Sequence, residues 1–413
     1  MGPISLFDKS FLQSLNINES LWFDHFYLAI ISPLFFMETL ADLEKEMKGG
    51  RTAEQIVGEI SAKTPELRGV PNVHHMDLAI SNLLGHKIPM DGRPLVAGGR
   101  PVKSKGRLGV NFDLPPESEA FIRWKAGDFL EIEKCFAKRW RADLNNMNFS
   151  NSKHYANKLG INTAECKNIN DAYNAANNIV STHERPYDLM GFVFATLNVP
   201  RAIHQIIIER YKISGLKPLT SFAPYTAHVI KVEVFFHICV SRGFISSERP
   251  SNKIDIAYLH YLPFCKIFIS NDGLHRRTAP LFTKSHQSFI WGPDLKADLK
   301  SLNAHYMTLS DDVKNTGISS FAPSPPDGNF LTGRLWDLIN PNWRSIKRVK
   351  TPLSKQANDK IIEHINEFKN AEEIPPSSID LSDEKIESLS LQRSISRKRG
   401  DWFQVPKDLK EDS

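Results

Sequence analysis

The sequence predicts an α/β protein in which helices flank a mostly parallel sheet, with a large and mainly helical insertion. Short apolar segments rich in β-branched and aromatic residues lie near the start of the chain and again after residue 230, and helical patterns follow them. Between these two regions almost every ordered pattern has helical spacing. This order of elements requires a mostly parallel sheet with right-handed crossovers.

The N-terminal segment supplies the first half of the predicted sheet. Residues 3–8 form a short apolar strand that ends in Asp8, and residues 9–15 continue with helical spacing. Residues 28–36 have the pattern of a second buried strand, which leads into a strong helix-forming segment that begins with Glu38. We therefore expect one acid at the end of each strand.

The second half of the predicted sheet is centred on residues 255–272. Asp255 stands at the start of a short amphipathic helix, and Lys266 to Ser270 is a buried strand that stops at a turn containing Asp272. Open α/β sheets place their sites beyond the carboxyl ends of the strands. Asp255 and Asp272 are therefore candidate site residues, although an Asp at a helix start is usually a cap and an Asp before Gly is usually a turn residue.

These patterns divide the chain into four regions. We expect the two halves of the core at residues 1–48 and 231–343, the helical insertion at residues 49–230, and a basic, partly flexible tail at residues 344–413. The clearest long helix of the insertion runs from Glu117 to Leu144.

Two groups of cations are candidates for binding phosphate. The first follows Asp272 within about one helical turn and consists of His275, Arg276 and Arg277, although the arginines could instead pair with surface acids. The second lies near the end of the long helix, where positive charge would also complement the helix dipole, and combines Lys138, Arg139 and Arg141 with the indole of Trp140, which could contact an unstacked base.

The four acids together resemble the pattern of the PIN-like nuclease family. The resemblance is carried by Phe7-Asp8-Lys9-Ser10, by Pro33 to Leu43, by the Asp255 helix and by Ile269-Ser-Asn-Asp272, and it covers less than half of the chain. In that family an Asp after the first strand, a Glu that opens an early helix and two later Asp residues hold a divalent metal for phosphodiester hydrolysis. The resemblance assigns these roles to Asp8, Glu38, Asp255 and Asp272.

The same resemblance gives Ser10 and Ser270 as residues that support the acids. The chain departs from compact family members in the long interval between Glu38 and Asp255. Because of this departure, the resemblance indicates the chemistry of the reaction better than it indicates the substrate.

Physical chemistry adds an argument about the metal. Carboxylates gathered at strand ends raise one another's pKa unless a cation neutralises them. Ligation by oxygen alone indicates Mg²⁺ or Mn²⁺ rather than zinc. Asp42 lies one helical turn beyond Glu38 and could join the site, but we favour a solvated helix face with Lys45 or Lys48 nearby.

Composition sets the class of protein that we expect. The chain has 413 residues, 41% of them hydrophobic, and a net charge of +5, so nucleic-acid affinity has to come from local clusters of cations. No apolar run approaches the ~18 residues that a membrane-spanning helix needs. The four cysteines are widely spaced and form no zinc or disulfide pattern. We expect a soluble, cytoplasmic protein without membrane contact.

Three functions follow from these observations. The first is a metal-dependent endonuclease, with RNA favoured over DNA by family analogy alone. The second is a nuclease that acts on DNA in defence. The third is a catalytically inactive PIN-like scaffold that binds a partner protein through the insertion or the tail.

Overall fold

The computed structural model of the chain describes residues 2–145, 149, 152–182, 184–345, 354–375, 386–391 and 393–409. Its centre is a five-stranded parallel sheet with helices on both faces. The predicted fold class is therefore confirmed. Within these ranges, none of the helices combines the length and the apolar character that a membrane-spanning helix needs.

The strands belong to a central sheet, a second sheet and a short two-stranded ladder. In chain order they are β1 (Ile4–Phe7), β2 (Leu28–Ile31), β3 (Gly69–Pro71), β4 (Gly99–Ser104), β5 (Arg107–Phe112), β6 (Ile267–Ser270), β7 (Ser288–Trp291), β8 (Glu372–Glu373), β9 (Ile386–Leu391), β10 (Lys398–Arg399) and β11 (Trp402–Phe403). The central sheet has the order β3-β2-β1-β6-β7, and the second sheet has the order β8-β4-β5-β9.

The α-helices of the first part of the chain surround the central sheet and build the insertion. They are α1 (Lys9–Ser14), α2 (Ile17–Phe26), α3 (Pro33–Glu46), α4 (Ala53–Lys63), α5 (His75–Leu83), α6 (Pro116–Lys125), α7 (Glu131–Asn145), α8 (Ser152–Lys158), α9 (Ile169–Ser181), α10 (Pro186–Thr196), α11 (Arg201–Ile213), α12 (Leu219–Phe222) and α13 (Pro224–Ser241).

The remaining helices flank β6 and β7 and continue into the tail. They are α14 (Ser251–Ala257), α15 (Gly273–Phe282), α16 (Gly292–Met307), α17 (Asp311–Asn315), α18 (Ile318–Phe321), α19 (Leu331–Ile339) and α20 (Lys355–Lys369). Short 3-10 helices cover Met47–Gly49, Thr163–Glu165 and Tyr258–Phe264.

Two apolar cores lie on opposite faces of the central sheet, because successive side chains of a strand point to opposite sides. Leu6 and Phe268 belong to the core that contains α13, whereas Phe7 and Ile269 belong to the core that contains α2 and α16. Leu6 is in register with Phe268 across the β1–β6 pair. The sheet is thus buried on both faces, as parallel sheets usually are.

The second predicted strand is shorter than its apolar pattern. β2 ends at Ile31, and the apolar residues after it open α3, whose first residue is Pro33. Proline suits the first helical position because its fixed φ matches the helix. An N–H at this position would have no acceptor within the helix, so its absence costs no hydrogen bond. Glu38 consequently lies in the second turn of α3 rather than at its start.

The insertion is mainly helical, but it is not confined to a separate lobe. Its β3 pairs in parallel with β2 and completes one edge of the central sheet. Its β4 and β5 form a hairpin in the second sheet. The predicted helix from Glu117 to Leu144 is two helices, α6 and α7, separated near Gly127, which has a φ of 82° that favours glycine.

Two described residues of the tail, Trp402 and Arg399, pack on the core. Trp402 is 1% exposed and lies edge-on to Trp22 with ring centroids 5.0 Å apart. Arg399 is buried and its Nη1 lies 3.2 Å from Oδ2 of Asp24. Residues 346–353 and 376–385 lie outside the described ranges.

Candidate active site: an acid cluster at the carboxyl edge of the sheet

The four predicted acids, Asp8, Glu38, Asp255 and Asp272, form what we call the acid cluster. From β1 the chain adds β2 and β3 on one side, and it later adds β6 and β7 on the other side of β1. The order of strands therefore reverses between β1 and β6. Asp8 directly follows β1, and Asp272 follows β6 by two residues. Such a reversal is where open α/β sheets bind ligands.

Asp8 is held by three donors. It is 3% exposed, and its Oδ1 accepts from the N–H of Phe11 at 2.9 Å, as the N-cap of α1. Its Oδ2 accepts from the hydroxyls of Ser10 at 2.8 Å and Ser270 at 2.6 Å. The two serines thus fix the carboxylate of Asp8 at the end of β1.

His275 is buried and connects Asp8 with the backbone of Asp255. Its Nδ1 lies 2.7 Å from Oγ of Ser270 and 3.4 Å from Oδ2 of Asp8, and its Nε2 lies 2.5 Å from the carbonyl oxygen of Asp255. A carbonyl only accepts, so Nε2 carries a proton. Burial by itself lowers the pKa of His275, but its hydrogen bond to Asp8 and the charges of Asp8 and Asp255 raise it to about 9.

The prediction that His275 binds phosphate is therefore wrong. Its side chain has no exposed surface, and both ring nitrogens contact protein atoms. Its imidazolium instead positions Asp8 relative to α14. The sequence around His275 does not indicate whether its side chain is buried against Asp8 or exposed to solvent.

Glu38 lies half-buried on α3 and accepts from the hydroxyl of Tyr258 at 2.7 Å. Burial is the largest cause that raises the pKa of Glu38, to about 8. The charge of Lys9 opposes this shift, and the charges of Asp255 and Asp8 add to it. Glu38 therefore exchanges its proton close to neutral pH.

Asp255 is half-buried and lies inside α14, which begins at Ser251, so the predicted position at a helix start is wrong. Burial raises the pKa of Asp255 to about 7; His275 opposes the shift, and Asp272, Asp8 and Asp42 add to it. In the part of the chain that the structure describes, no hydrogen bond reaches its carboxylate. Asp255 is the least compensated member of the acid cluster.

Asp272 is the N-cap of α15. Its Oδ1 accepts from the N–H of Leu274 at 2.5 Å, and its own N–H donates to Oγ of Ser270 at 2.9 Å. The capping role that is usual for such a residue is thus present, and the charge of Asp272 acts on Asp255 as well.

Lys9 is a site residue that the sequence analysis missed. It is 3% exposed, and its Nζ lies 2.9 Å from Oδ2 of Asp42 and 2.8 Å from Oε1 of Glu46. Asp42 is therefore an ion-pair partner rather than part of a solvated helix face. The spacing of Asp42 and Glu46 by four residues on α3 was the available signal, because such residues share a helix face.

The two arginines on α15 are exposed beside the acid cluster. Within the described ranges neither Arg276 nor Arg277 has a carboxylate partner, so the alternative of a surface ion pair is not supported. The guanidinium of Arg276 lies 5.0 Å from the ring centroid of Trp291, the last residue of β7. Both arginines are placed where they could contact a phosphate.

The predicted residues of α7 differ in exposure and in contacts. Lys138 and Arg139 are exposed, whereas Trp140 is half-buried and packs against the core that contains α13. Nη1 of Arg141 lies 3.9 Å from Oδ1 of Asp42. This contact shows that α7 runs beside the α3 face that carries Asp42.

All donors of the acid cluster are oxygens, the donor type that Mg²⁺ and Mn²⁺ prefer, and Lys9 and His275 compensate Glu38 and Asp255 only in part. It does not present a finished ligand set. Among the described residues, no three His, Cys, Asp or Glu side chains are grouped so that they could hold one metal ion. The carboxylates of Asp8 and Asp272 instead cap α1 and α15.

Comparisons with protein-family models, with curated proteins and with solved structures found no match to this chain. The resemblance to the PIN-like family therefore stays a prediction from the sequence.

Proposed function

We propose that this protein is a metal-dependent phosphodiesterase that cuts nucleic acid internally. The observation that carries the proposal is the acid cluster itself, in which burial and neighbouring acids raise the pKa of Glu38 to about 8 and that of Asp255 to about 7. Acids under mutual repulsion at a strand-order reversal favour a cation.

Asp8, Glu38, Asp255 and Asp272 would hold Mg²⁺ or Mn²⁺. When bound, such an ion supplies an activated water and charge for the leaving oxygen. The protein's own contribution is to fix these carboxylates in place.

Ser10, Ser270 and His275 fix Asp8, while the hydroxyl of Tyr258 fixes Glu38. Because Glu38 titrates near neutral pH, it can accept a proton there.

Substrate contact would come from cations outside the acid cluster. Arg276 and Arg277 are exposed on α15, and guanidinium groups bind phosphate through paired hydrogen bonds. Lys138 and Arg139 extend the positive surface along α7. RNA is favoured over DNA only by analogy with the PIN-like family, and the separated cysteines support action in the cytoplasm.

A second candidate function is that of an inactive scaffold for a partner protein. The ammonium of Lys9 neutralises Asp42 and Glu46 and lowers the pKa of Glu38, so the chain itself supplies part of the charge that a metal would bring. The absence of a finished ligand set among the described residues also supports this candidate.

One experiment separates the two. The purified full chain is incubated with labelled single-stranded RNA, single-stranded DNA and duplex DNA, in Mn²⁺, Mg²⁺ or a chelator. We expect cleavage only with metal, and a loss of at least about a hundredfold in Asp255→Asn, because removing one charge weakens cation binding without removing a contact. The matched control is Asp311→Asn, an exposed acid in the first turn of α17, which should keep full activity.

A protein that cuts none of the three substrates with either metal would contradict the proposal and favour the scaffold. Cleavage by Asp255→Asn at the wild-type rate would remove the acid cluster from the reaction. Circular dichroism and the Tm of each variant establish that folding is unchanged.

A further inference from the structure

Helix α20 presents an apolar surface to solvent. Its residues Ile361, Ile362 and Ile365 are 47%, 56% and 49% exposed. A helix that packs on a sheet usually buries its apolar face and exposes polar residues. Single exposed apolar residues are ordinary, but three isoleucines within five residues of one helix form a patch, and such patches are typical of interaction surfaces.

A different side of α20 attaches the helix to its own chain. Phe368 is fully buried and packs on Gly109 of β5, where an added Cβ would lie 2.4 Å from Cδ1 of Phe368. Ala357 and His364 are half-buried on the same side of the helix as Phe368. The contact with the second sheet therefore uses these three residues and leaves the isoleucines outside it.

The exposed residues have the spacing of a helix–helix seam. Asn358, Ile362, Ile365 and Lys369 recur at intervals of four, three and four residues, and all four are exposed. This spacing places them in one line along the helix, as in the contact line between two paired helices. We call these four residues the α20 stripe. It is apolar at its centre and polar at both ends.

The charges along the α20 stripe indicate what covers it. Asp359 is exposed beside the first half of the stripe, and Lys369 ends the stripe. Among the described residues, neither forms an ion pair within the chain. Each helix thus has an acid towards one end and a cation at the other, a pattern that complements a second copy of itself.

The same charges also indicate the direction of the second helix. When it runs antiparallel with its Ile365 opposite Ile362, its Lys369 lies within one residue of the level of Asp359. Opposite charges then meet at both ends of the pair, and the antiparallel helix dipoles attract each other as well. A parallel pair would instead place each charge beside its own copy.

We propose that α20 is an interface between two copies of this chain, in which the two α20 stripes pair antiparallel about a twofold axis. Ile362 and Ile365 form the apolar centre, and Asp359 contacts Lys369 of the other copy at each end. A twofold interface uses one self-complementary surface on both chains. Because one pair of 15-residue helices is a small interface, we expect a weak dimer with a Kd of about 1 to 100 µM.

Analytical ultracentrifugation of the full chain, over concentrations that span the expected Kd, tests the proposal. We expect wild type to convert from monomer to dimer. Ile362→Glu and Ile365→Glu each bring a charge into the apolar centre from both chains and should weaken dimerisation at least about a hundredfold. Both positions are about half exposed in the single chain, so the Tm of each variant at low concentration should match that of wild type.

Leu389→Glu is the matched control. Leu389 is 68% exposed and lies in register with Val110, whereas the neighbouring Gly109 faces Phe368 of α20. Successive side chains of a strand point to opposite faces, so Leu389 lies on the face of the second sheet that is turned away from α20. This variant should dimerise like wild type.

Two charge variants test the direction of pairing. Asp359→Lys and Lys369→Glu each bring like charges together at both ends of the dimer, and each should weaken self-association by about three- to thirtyfold. Mixed in equal amounts, the two variants can form a heterodimer in which both ends attract again. The mixture should therefore dimerise nearly as well as wild type, and differently labelled chains distinguish the heterodimer from the two homodimers.

Three results would overturn the proposal. A chain that stays monomeric across the concentration range does not use the α20 stripe for self-association. Dimers that persist in both Ile362→Glu and Ile365→Glu have their interface elsewhere. A mixture of Asp359→Lys and Lys369→Glu that associates no better than either variant alone contradicts antiparallel pairing. The association requires neither a metal nor cleavage, so its outcome is independent of the proposed activity.

Discussion

Asp24 and Glu38 are both acids that the fold withdraws from water, but their surroundings differ. Asp24 is 1% exposed and accepts from the N–H groups of residues 66–68 at 2.8 to 2.9 Å and from Arg399 at 3.2 Å. Glu38 is half-buried, and the one hydrogen bond to its carboxylate among the described residues comes from Tyr258.

The difference shows how to distinguish a structural acid from a functional one. The side chain of Asp24 links the loop after α4 to the C-terminal segment. Its charge is compensated by the guanidinium of Arg399 and by three backbone N–H groups. Glu38 and Asp255 face other acids and are only partly compensated. A buried charge with complete hydrogen bonding supports the fold, whereas an incompletely compensated one is free to act on a ligand.

The largest expected effect is the loss of Asp24. Asp24→Ala leaves Arg399 buried without its carboxylate and should lower the free energy of unfolding by about 3–5 kcal/mol. Urea unfolding of the variant measures this change. The double variant with Arg399→Met should recover part of the loss, and a loss below about 1 kcal/mol would contradict the structural role of the pair.

A smaller loss is expected from Lys9→Met. It leaves Glu46 without its cation and leaves Asp42 with Arg141 alone, at 3.9 Å, but both carboxylates are partly exposed, so we expect about 1–3 kcal/mol. Adding Asp42→Asn removes one of the repelling charges and should reduce the loss. If the double variant were no more stable than Lys9→Met, charge compensation would not be the role of Lys9.

The next prediction concerns pH. The pKa of folded Glu38 is about 8, above its ordinary value of 4.5, so its protonation stabilises the folded chain below pH 4.5, and this contribution is lost as pH rises to about 8. Across that window Glu38→Gln should flatten the metal-free stability curve by about 1–2 kcal/mol, after a discount for partial exposure. Thermal unfolding between pH 5 and 8 measures it.

His275 adds to the loss at higher pH and provides an internal control. Its folded pKa of about 9 exceeds its ordinary value of 6.5, so its contribution is lost as pH rises from 6.5 to about 9. Because His275 is unchanged in Glu38→Gln, this variant should still lose stability above pH 8. Identical curves for wild type and Glu38→Gln between pH 5 and 8 would show that Glu38 is compensated like Asp24.

The smallest effect on stability belongs to Asp272. Asp272→Asn keeps a good N-cap and should change the free energy of unfolding by less than about 0.5 kcal/mol, whereas Asp272→Ala should cost about 1 kcal/mol. Mg²⁺ should raise the Tm of wild type more than that of Asp272→Asn, because a ligand bound by the native state stabilises it by mass action. Equal Tm shifts would place Asp272 with the structural acids.

Local patterns were enough to predict part of this molecule. The apolar strands before Asp8 and before Asp272 are present as β1 and β6, because burial on both faces demands continuous apolar residues. The three-residue β3 escaped prediction, since so short a segment has no period, and it belongs to the sheet only because β2 lies beside it. The packing of Trp402 and Arg399 against the core was not predicted either, because the polar composition of the tail does not indicate it.

The class of fold and the acids that follow β1 and β6 could be predicted from sequence patterns, because hydrophobic period and strand-end position are local properties. The role of each acid depends on contacts between distant parts of the chain. The tertiary structure brought Lys9 to Asp42, Tyr258 to Glu38 and His275 to Asp8, across up to 267 positions of the chain in the last case. A carboxylate's pKa depends on its distance from such partners and from water, and packing alone sets those distances.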